Sequence, residues 1–439
     1  MRVKKKLTIT LIVVLLCAVL LFLLAMLLPP MMPPDKDTEE APEQITLTLV
    51  YAYQNNQWSA CIEEVIRRFE EDNPHIDVQY EIHYEDRVYE DMLYKLAARD
   101  EKVDVMQIKE PYAWAESGLI AALPESLSNQ VSTTCTVNGK TYGVCALGTT
   151  TGVVYNKAIF RQMNLSVPKT YEEFLEVCQV LKENGIVPLG VGGKDLWHFE
   201  YWLNHFLRAD ILSKEPDFLA QCSAGQRDWS DPLITELLTH LNDLFRLGYV
   251  DESWPSTPDG ALAYHMAEGQ VAMVFSGPWL ASGALNIDPS LDLGWFYVPN
   301  TAGELVAGDS LDVFWTISKG CAMDESRYEA AAALLEFFYS EEVYEEVYTT
   351  MAGFSTLTDT SRDRAPEGGI LAEASRAHEG ADQRISGYVG DENTPPGFEK
   401  QLLTLLSRMC AGELTVAETQ DLANQYWGEC LRREVSYAN

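Results

Sequence analysis

Between Asn138 and Phe160 the chain reads NGKTYGVCALGTTTGVVYNKAIF, and the strand-and-helix signals before this stretch start afresh after it. Asn138-Gly139 tolerates positive φ at both turn centres and lies between strand-favouring residues, Thr133 to Val137 and Lys140 to Val144, so it predicts a β-hairpin. Small residues from Ala146 to Gly152 then lead into a strand at Val153 to Tyr155 and a short helix beginning near Asn156. Such a stretch hands the chain from one lobe to another. A length of 439 residues asks for two lobes independently, because it exceeds what one hydrophobic core usually supports.

Upstream of the handover, ITLTLVYAY from Ile45 reads as a strand, and Trp58, Ile62, Val65, Ile66 and Phe69 fall on one face of a helix that Asn73-Pro74 ends. Ile76 to Ile82 alternates as a second strand, a helix is expected over about Val88 to Arg99, and VDVMQI makes a third strand. A helix from about Tyr112 stops at Gly118. Downstream, Thr170 with Glu173 forms a capping box, Ile186 to Leu189 is a strand, and helices follow near His198–Arg208, Pro232–Leu247 and Gly260–Glu268. VAMVF is a strand, Pro278 opens a helix with Ser276 as its expected cap, and LDLGWFYVP and DVFWTIS are further strands. Asp324 caps an apolar helix through Tyr339. Helices over Phe398–Cys410 and from Thr415 (boxed with Glu418) to about Arg433 close the chain. Strands alternating with amphipathic helices imply parallel β-α-β units and doubly wound α/β sheets.

The first 34 residues are different material. Arg2, Lys4, Lys5 and Lys6 precede an apolar run from Leu7 to Leu28, and Pro29, Pro30, Pro33 and Pro34 follow it. At about 1.5 Å per residue the run spans roughly 33 Å, enough for a bilayer core and longer than the usual signal-peptide core. An uncleaved signal-anchor over 1–34 is expected, with residues 35–44 as an acidic tether and the remainder outside the cell. The alternative is a lipoprotein, with Leu15-Leu16-Cys17 as an imperfect lipidation box. The net charge is −34, and without the four basic groups of the first 34 residues the outer part carries 28 − 66 = −38. That field repels nucleic acid and anionic lipid, and leaves neutral ligands open. Eight of the nine cysteines lie outside the apolar run, with neither CxxC spacing nor small-domain density, so no disulfide is assigned. Counting outward from Asn138-Gly139 sets Cys135 opposite Tyr142 rather than Cys145.

No motif of a serine hydrolase, zinc protease, P-loop or dinucleotide site is present. His198 and His205 are seven apart, but no Cys or His at ligand spacing joins them, so neither metal nor cofactor is implied. The chain reads as a binding protein rather than an enzyme. Trp58, Trp114, Trp197, Trp202, Trp279, Trp295 and Trp315 sit near strand ends or helix starts, the edge at which α/β sheets present ligands, although most tryptophans in a chain this size are core. Trp279 stands out, because it follows Gly277-Pro278 directly after a buried strand.

Six segments in order resemble a known family: FEEDNPHIDVQYE; KVDVMQI with AWAESGLIAAL; NGKTYGV through TGVVYNKAIFRQMNLSVPKTYEEFLEVCQVLKENGIVPLGVGG; EGQVAMVFSGPW; VPN through AGDSLDVFWTISK; and AGELTVAE. They are similar to the extracellular solute-binding proteins of bacterial ABC importers, in the carbohydrate-binding group that includes maltodextrin-binding protein. The resemblance implies a periplasmic-binding-protein-like fold, two doubly wound α/β lobes joined by hinge strands with a ligand cleft between them. It divides the chain into 45–145 and 305–345 for lobe 1, and 146–304 and 346–439 for lobe 2. Crossings are implied at Tyr142 to Leu147, near Val298 to Ala307 and near Ser340 to Val347, with Gly143, Val144, Cys145, Ala146 and Leu147 as hinge. The ligand wall would use Tyr53, Gln54, Asn55, Glu110, Asp195, Trp197, His198, Trp279 and Asp309, with Lys109 beside Glu110. The implied partners are a carbohydrate, most simply an oligosaccharide, and the ABC permease that receives it, for a monomeric protein held at the membrane. Cys145 stands where the family often has proline, and Gly308-Asp309-Ser310 where it often has Gly-Gly. A ligand-sensing receptor for a kinase and, further off, a surface carbohydrate-active enzyme are the competing readings.

Overall fold

Trp58, Ile62, Val65, Ile66 and Phe69 are all buried on the helix Asn56–Asp72, which follows β1 (Ile45–Ala52) as its apolar spacing requires. The computed structural model describes residues 44–52, 56–83, 103–109, 111–310, 313–350, 355–358 and 368–437. The expected anchor, the tether up to residue 43 and the helix expected over Val88–Arg99 lie outside them. Among the described residues no helix is long and apolar enough to cross a membrane.

The strands continue with β2 (Ile76–His83), β3 (Val105–Ile108), β4 (Thr134–Val137), β5 (Lys140–Cys145), β6 (Thr149–Thr150), β7 (Gly152–Asn156) and β8 (Val187–Gly190). After them come β9 (Val271–Ser276), β10 (Leu293–Phe296), β11 (Val306–Ser310), β12 (Phe314–Ile317) and β13 (Gln383–Ile385). The first lobe is built on the sheet β2-β1-β3-β12-β5-β4, the second on β10-β7-β9-β8, and a small sheet β13-β11-β6 accompanies the crossing chain. Parallel pairing of β1 with β2 and β3 sends their carboxyl ends to one edge. In the second lobe β8 and β9 are likewise parallel. The sheets are mixed rather than wholly parallel: β12 enters the first lobe from the crossing side, so it runs antiparallel to β3 and β5, and β7 runs antiparallel to β9 and β10.

Each lobe has its own core. Trp58, Val105, Trp315, Phe338 and Tyr344 belong to the first, and Phe174, Trp202, Phe275, Phe398 and Trp427 to the second. Helix ends are held as their sequences ask. The Thr170 hydroxyl accepts from Glu173 N–H at 3.2 Å, and at Thr415 the box is reciprocal, the hydroxyl accepting from Glu418 N–H at 3.2 Å while Glu418 accepts from Thr415 N–H at 2.8 Å. Ser276 is not the cap of Pro278–Ile287. Gly277 is, without a side-chain bond, because Ser276 ends β9 with its side chain buried.

Asn138 (φ 50°) and Gly139 (φ 74°) are both left-handed, which closes the β4–β5 hairpin. A bulge between Cys135 and Thr136 shifts its register by one residue, so Cys135 lies opposite Gly143 and not Tyr142. Gly143, Val144 and Cys145 are buried strand residues of the first lobe. Ala146 N–H still reaches the Val313 carbonyl at 2.9 Å, so the chain crosses over 147–148 into β6. Hydroxyls of Tyr339 (2.6 Å) and Thr356 (3.2 Å) both donate to the Cys145 carbonyl, fixing the point of departure.

The other two crossings move. Val306–Ser310 pairs with β13 and β6, so the return to the first lobe falls between Ser310 and Phe314 instead of near Val298–Ala307. Ser340–Val347 does not cross. It enters the helix Glu341–Thr350, whose Val343, Tyr344 and Val347 form one apolar stripe that packs into the first core. Leu357 still bridges to Val131, so the first lobe extends beyond the expected limit at 345. All eight cysteines among the described residues are free thiols, and only Cys61 is not fully buried.

Candidate ligand-binding site

The two parallel strands of the second lobe deliver its candidate residues to one edge. The β8 strand runs out into Gly192, Gly193 and the loop ending at Trp197, while β9 runs out into Gly277 and Trp279. Trp197 and Trp279 are each half-buried, and Tyr201 lies between them. Tyr201 meets Trp197 edge-on at 5.7 Å between centroids and Trp279, tilted, at 6.0 Å. The result is an aromatic wall with two partly open indoles. Gly277 is required for it, since a Cβ there would overlap the Trp279 indole, which folds back over the Gly277 backbone.

Asp195 and His198 hold this wall from behind. Asp195 Oδ2 accepts from Asp259 N–H at 2.8 Å, and fully buried His198 donates Nδ1–H to Asp259 Oδ1, also at 2.8 Å. Gly192 and Gly193 let the loop lie flush, because a Cβ at Gly192 would meet the Asp259 backbone and one at Gly193 the Trp254 ring. Of the loop residues singled out from sequence, only Trp197 therefore offers a ring to the cleft. His198 has no surface to give, and His205, a second buried ring beside Phe275, has its pKa lowered to about 4 by burial. Among the described residues no three His, Cys, Asp or Glu side chains are grouped to hold a metal ion.

From the first lobe, Lys109 leaves the carboxyl end of β3 and sets its ammonium 5.7 Å from the centre of the Trp197 ring, bringing the lobes together across the cleft. Tyr53, Gln54, Asn55 and Glu110 lie outside the described residues. Asp309 is a β11 residue, in register with Thr150 of β6. Trp58, Trp114, Trp202, Trp295 and Trp315 are core, each at most 5% exposed.

The bacterial extracellular solute-binding protein model matches residues 52–345, more than half of the chain. The chain belongs to that family. A multiple sugar-binding protein of Streptococcus mutans is 23% identical over 60% of this chain, and the match spans 65% of that relative's length. Among solved structures, a chitin oligosaccharide binding protein superposes with a TM-score of 0.78 at 22% identity, covering 88% of this chain and 99% of its own. A solute-binding protein, RafE in complex with raffinose, gives 0.69 at 23%, covering 87% and 98%. These likenesses establish the bilobed α/β architecture of the binding protein.

Sequence reasoning missed a second interlobe feature of this binding protein. A cavity of about 170 Å³ is lined by Tyr112, Glu116 and Thr136 of the first lobe and Asp391, Glu392 and Glu399 of the second. Burial pushes the hydroxyls of Tyr112 and Tyr388 above their ordinary range, and Tyr388 lies within electrostatic reach of Tyr112, Asp391, Glu399 and Glu200. The available signal was the turn-rich run GDENTPPG from Gly390 to Gly397, which marks an ordered loop but not what it faces.

Proposed function

We propose that this protein binds an extracellular carbohydrate, an oligosaccharide, by closing its two lobes on it and presenting it to the permease of an ABC importer. The observation that carries the reading is the wall of Trp197, Tyr201 and Trp279 on one lobe with Lys109 of the other poised over it. Sugar rings present C–H faces that stack on indole and hydroxyls that bond to polar rims, and a ligand touching both lobes shifts the population toward the closed form. The names of its relatives, binders of multiple sugars, of chitin oligosaccharide and of raffinose, support the same ligand class. Trp197 and Trp279 stack the ligand, Lys109 and Glu110 meet it from the first lobe with Tyr53, Gln54 and Asn55, and Asp309 stands near the crossing. Asp195 and His198 position Trp197. The protein acts as a monomer on the outer face of the membrane, anchored through residues 1–34, and needs no cofactor.

A ligand that binds only the folded state must raise the melting temperature. The full chain is expected to gain thermal stability with at least one member of a panel of di-, tri- and tetrasaccharides, and to remain unmoved by amino acids, peptides and polyamines. A panel silent for sugars and positive for any of the others would overturn the carbohydrate reading.

A further inference from the structure

We propose that the crossing strand β11 is bolted to the second lobe at Gly308, so that the small sheet β13-β11-β6 travels with that lobe and the clamp bends on its first-lobe side. The inference rests on the clamp reading above and adds where the clamp bends and which residues decide it.

One part of the bolt is a directed chain of hydrogen bonds onto the Gly308 carbonyl. The Thr150 hydroxyl donates its one hydrogen to that carbonyl at 2.9 Å, so in its 2.6 Å contact with the Tyr297 hydroxyl it accepts. The Tyr297 hydrogen is then spent, and His378 Nδ1–H is the donor in the 3.2 Å contact with Tyr297. Tyr297 follows β10 and His378 lies on the helix Gly369–Glu379, so the chain runs from elements packed on the second sheet to the crossing strand. Thr150 and Tyr297 are both buried, where an unmade bond is costly.

The other part is Arg208, which is buried and occupies the place that a side chain at 308 would need. A Cβ there would fall within the Arg208 guanidinium and against its Cδ. Its Nε–H donates to the Gly387 carbonyl at 2.9 Å, just past β13, and β13 itself pairs with β11, Ile385 beside Gly308. Arg208 follows directly on the helix His198–Phe206, which carries Tyr201, so the aromatic wall and the bolt share one helical stretch. Ala307 completes the attachment by packing in one cluster with Val154, Val274 and Trp295 of the second sheet.

Beyond the crossing the ties belong to the first lobe. Cys145 faces Phe314 and Ala146 N–H reaches the Val313 carbonyl, whereas Thr149 faces Ser310 and Thr150 faces Asp309. Five residues separate the pair Cys145–Phe314 from the pair Thr150–Asp309 on either strand, so the two strands keep one register from lobe to lobe. The bend falls where the ties change hands, which on the outgoing strand is Leu147-Gly148. With β11 bolted, closure turns the first lobe against the small sheet and the aromatic wall together, and a ligand on the wall meets the same first-lobe edge each time the clamp shuts.

The test places dyes at exposed Asp72 of the first lobe, Glu176 of the second and Arg384 of β13, and reads pairwise distances by single-molecule energy transfer on the full chain, with and without the sugar of the thermal screen. The interlobe pair Asp72–Glu176 should report opening and closing, Asp72–Arg384 should change with it, and Glu176–Arg384 should stay fixed throughout. Thr150→Val removes the hydroxyl and keeps the branched shape. It should make the Glu176–Arg384 distance variable and raise hydrogen exchange over 306–310 by about fivefold, the loss of one buried hydrogen bond. Thr150→Ser keeps the hydroxyl and should keep both wild-type values, and Tyr297→Phe carries the Thr150→Val expectation if that variant does not fold. A Glu176–Arg384 distance that changes in the wild type, a clamp in which no distance ever changes, or a fixed Glu176–Arg384 distance in the hydroxyl-deleted variants would overturn the bolt. Sugars that fail to bind, with Asp72–Arg384 moving spontaneously and Glu176–Arg384 fixed, would sink the carbohydrate reading and leave the bolt standing.

Discussion

In the first lobe Trp58, Trp114 and Trp315 are buried to within 4% of completely, whereas the second lobe, besides its own buried tryptophans, holds Trp197 and Trp279 half-open at two strand ends. The contrast has a local cause. First-lobe indoles sit within elements: Trp58 stacks on Trp315 at 6.4 Å, and Trp315 meets Phe338 edge-on at 5.7 Å. Second-lobe Trp197 and Trp279 stand in the segments just past β8 and β9, where they pack against the edge of the second core and stay partly open. One lobe thus uses tryptophan for stability and offers charge to the cleft, while the other offers aromatic faces.

The sharpest way to break this division is Trp315→Ala. A fully buried indole replaced by a methyl group typically costs about 3–5 kcal/mol. Chemical unfolding should show a loss of that size, and sugar affinity measured on the folded fraction should be unchanged. A fall in affinity beyond what the unfolded fraction accounts for would place the first lobe's tryptophans in recognition.

Trp279→Ala should do the reverse. Loss of a stacking anchor costs about 2 kcal/mol of binding, close to a thirtyfold rise in Kd, while a half-exposed side chain leaves stability within about 1 kcal/mol. Isothermal titration with the sugar found in the thermal screen reads the first quantity and chemical unfolding the second. Gly277→Val should mimic the affinity loss, because its side chain claims the space that the Trp279 indole occupies.

How far this division was legible in the sequence differs from residue to residue. Local chemistry was readable: the Asn138-Gly139 turn, the boxes at Thr170 and Thr415, and the buried face of Asn56–Asp72 each follow from neighbouring residues. The GPW segment marked Trp279 for the same reason. The bulge at Cys135/Thr136 was not readable, since one extra residue in a strand leaves no compositional mark. Crossing points near Ser310 and the helix at 341–350 depend on which sheet or core captures a segment. The facing of Tyr112 and Asp391 joins residues far apart in sequence, which no local pattern records.

Asp259→Ala tests whether the wall needs its backing. It removes the acceptor of the His198 bond and leaves a buried imidazole N–H unpaired, at a cost of about 1.5 kcal/mol in stability. Sugar affinity should fall as well, since the loop carrying Trp197 loses one of its two ties to Asp259 and keeps only the bond from the residue 259 N–H to Asp195. Preserved affinity in a destabilised variant would show that Trp197 is positioned by Tyr201 and the core alone.

The smallest effect is expected at the first lobe's own contribution. Lys109→Met keeps most of the side-chain length and removes the ammonium from the Trp197 face, a contact worth about 0.5–1 kcal/mol where solvent still reaches it. The sign of the change in sugar affinity separates two roles. If Lys109 acts with the ligand, affinity falls by about two- to fivefold. If its contact with Trp197 competes with the sugar for the indole, affinity rises by the same factor. Lobe closure without sugar, read by the interlobe dyes, should decrease in both cases, because the contact joins the lobes in either role. No change in closure would mean that the first lobe's charge does not hold the clamp, and the division of labour between the lobes would then rest on the tryptophans alone.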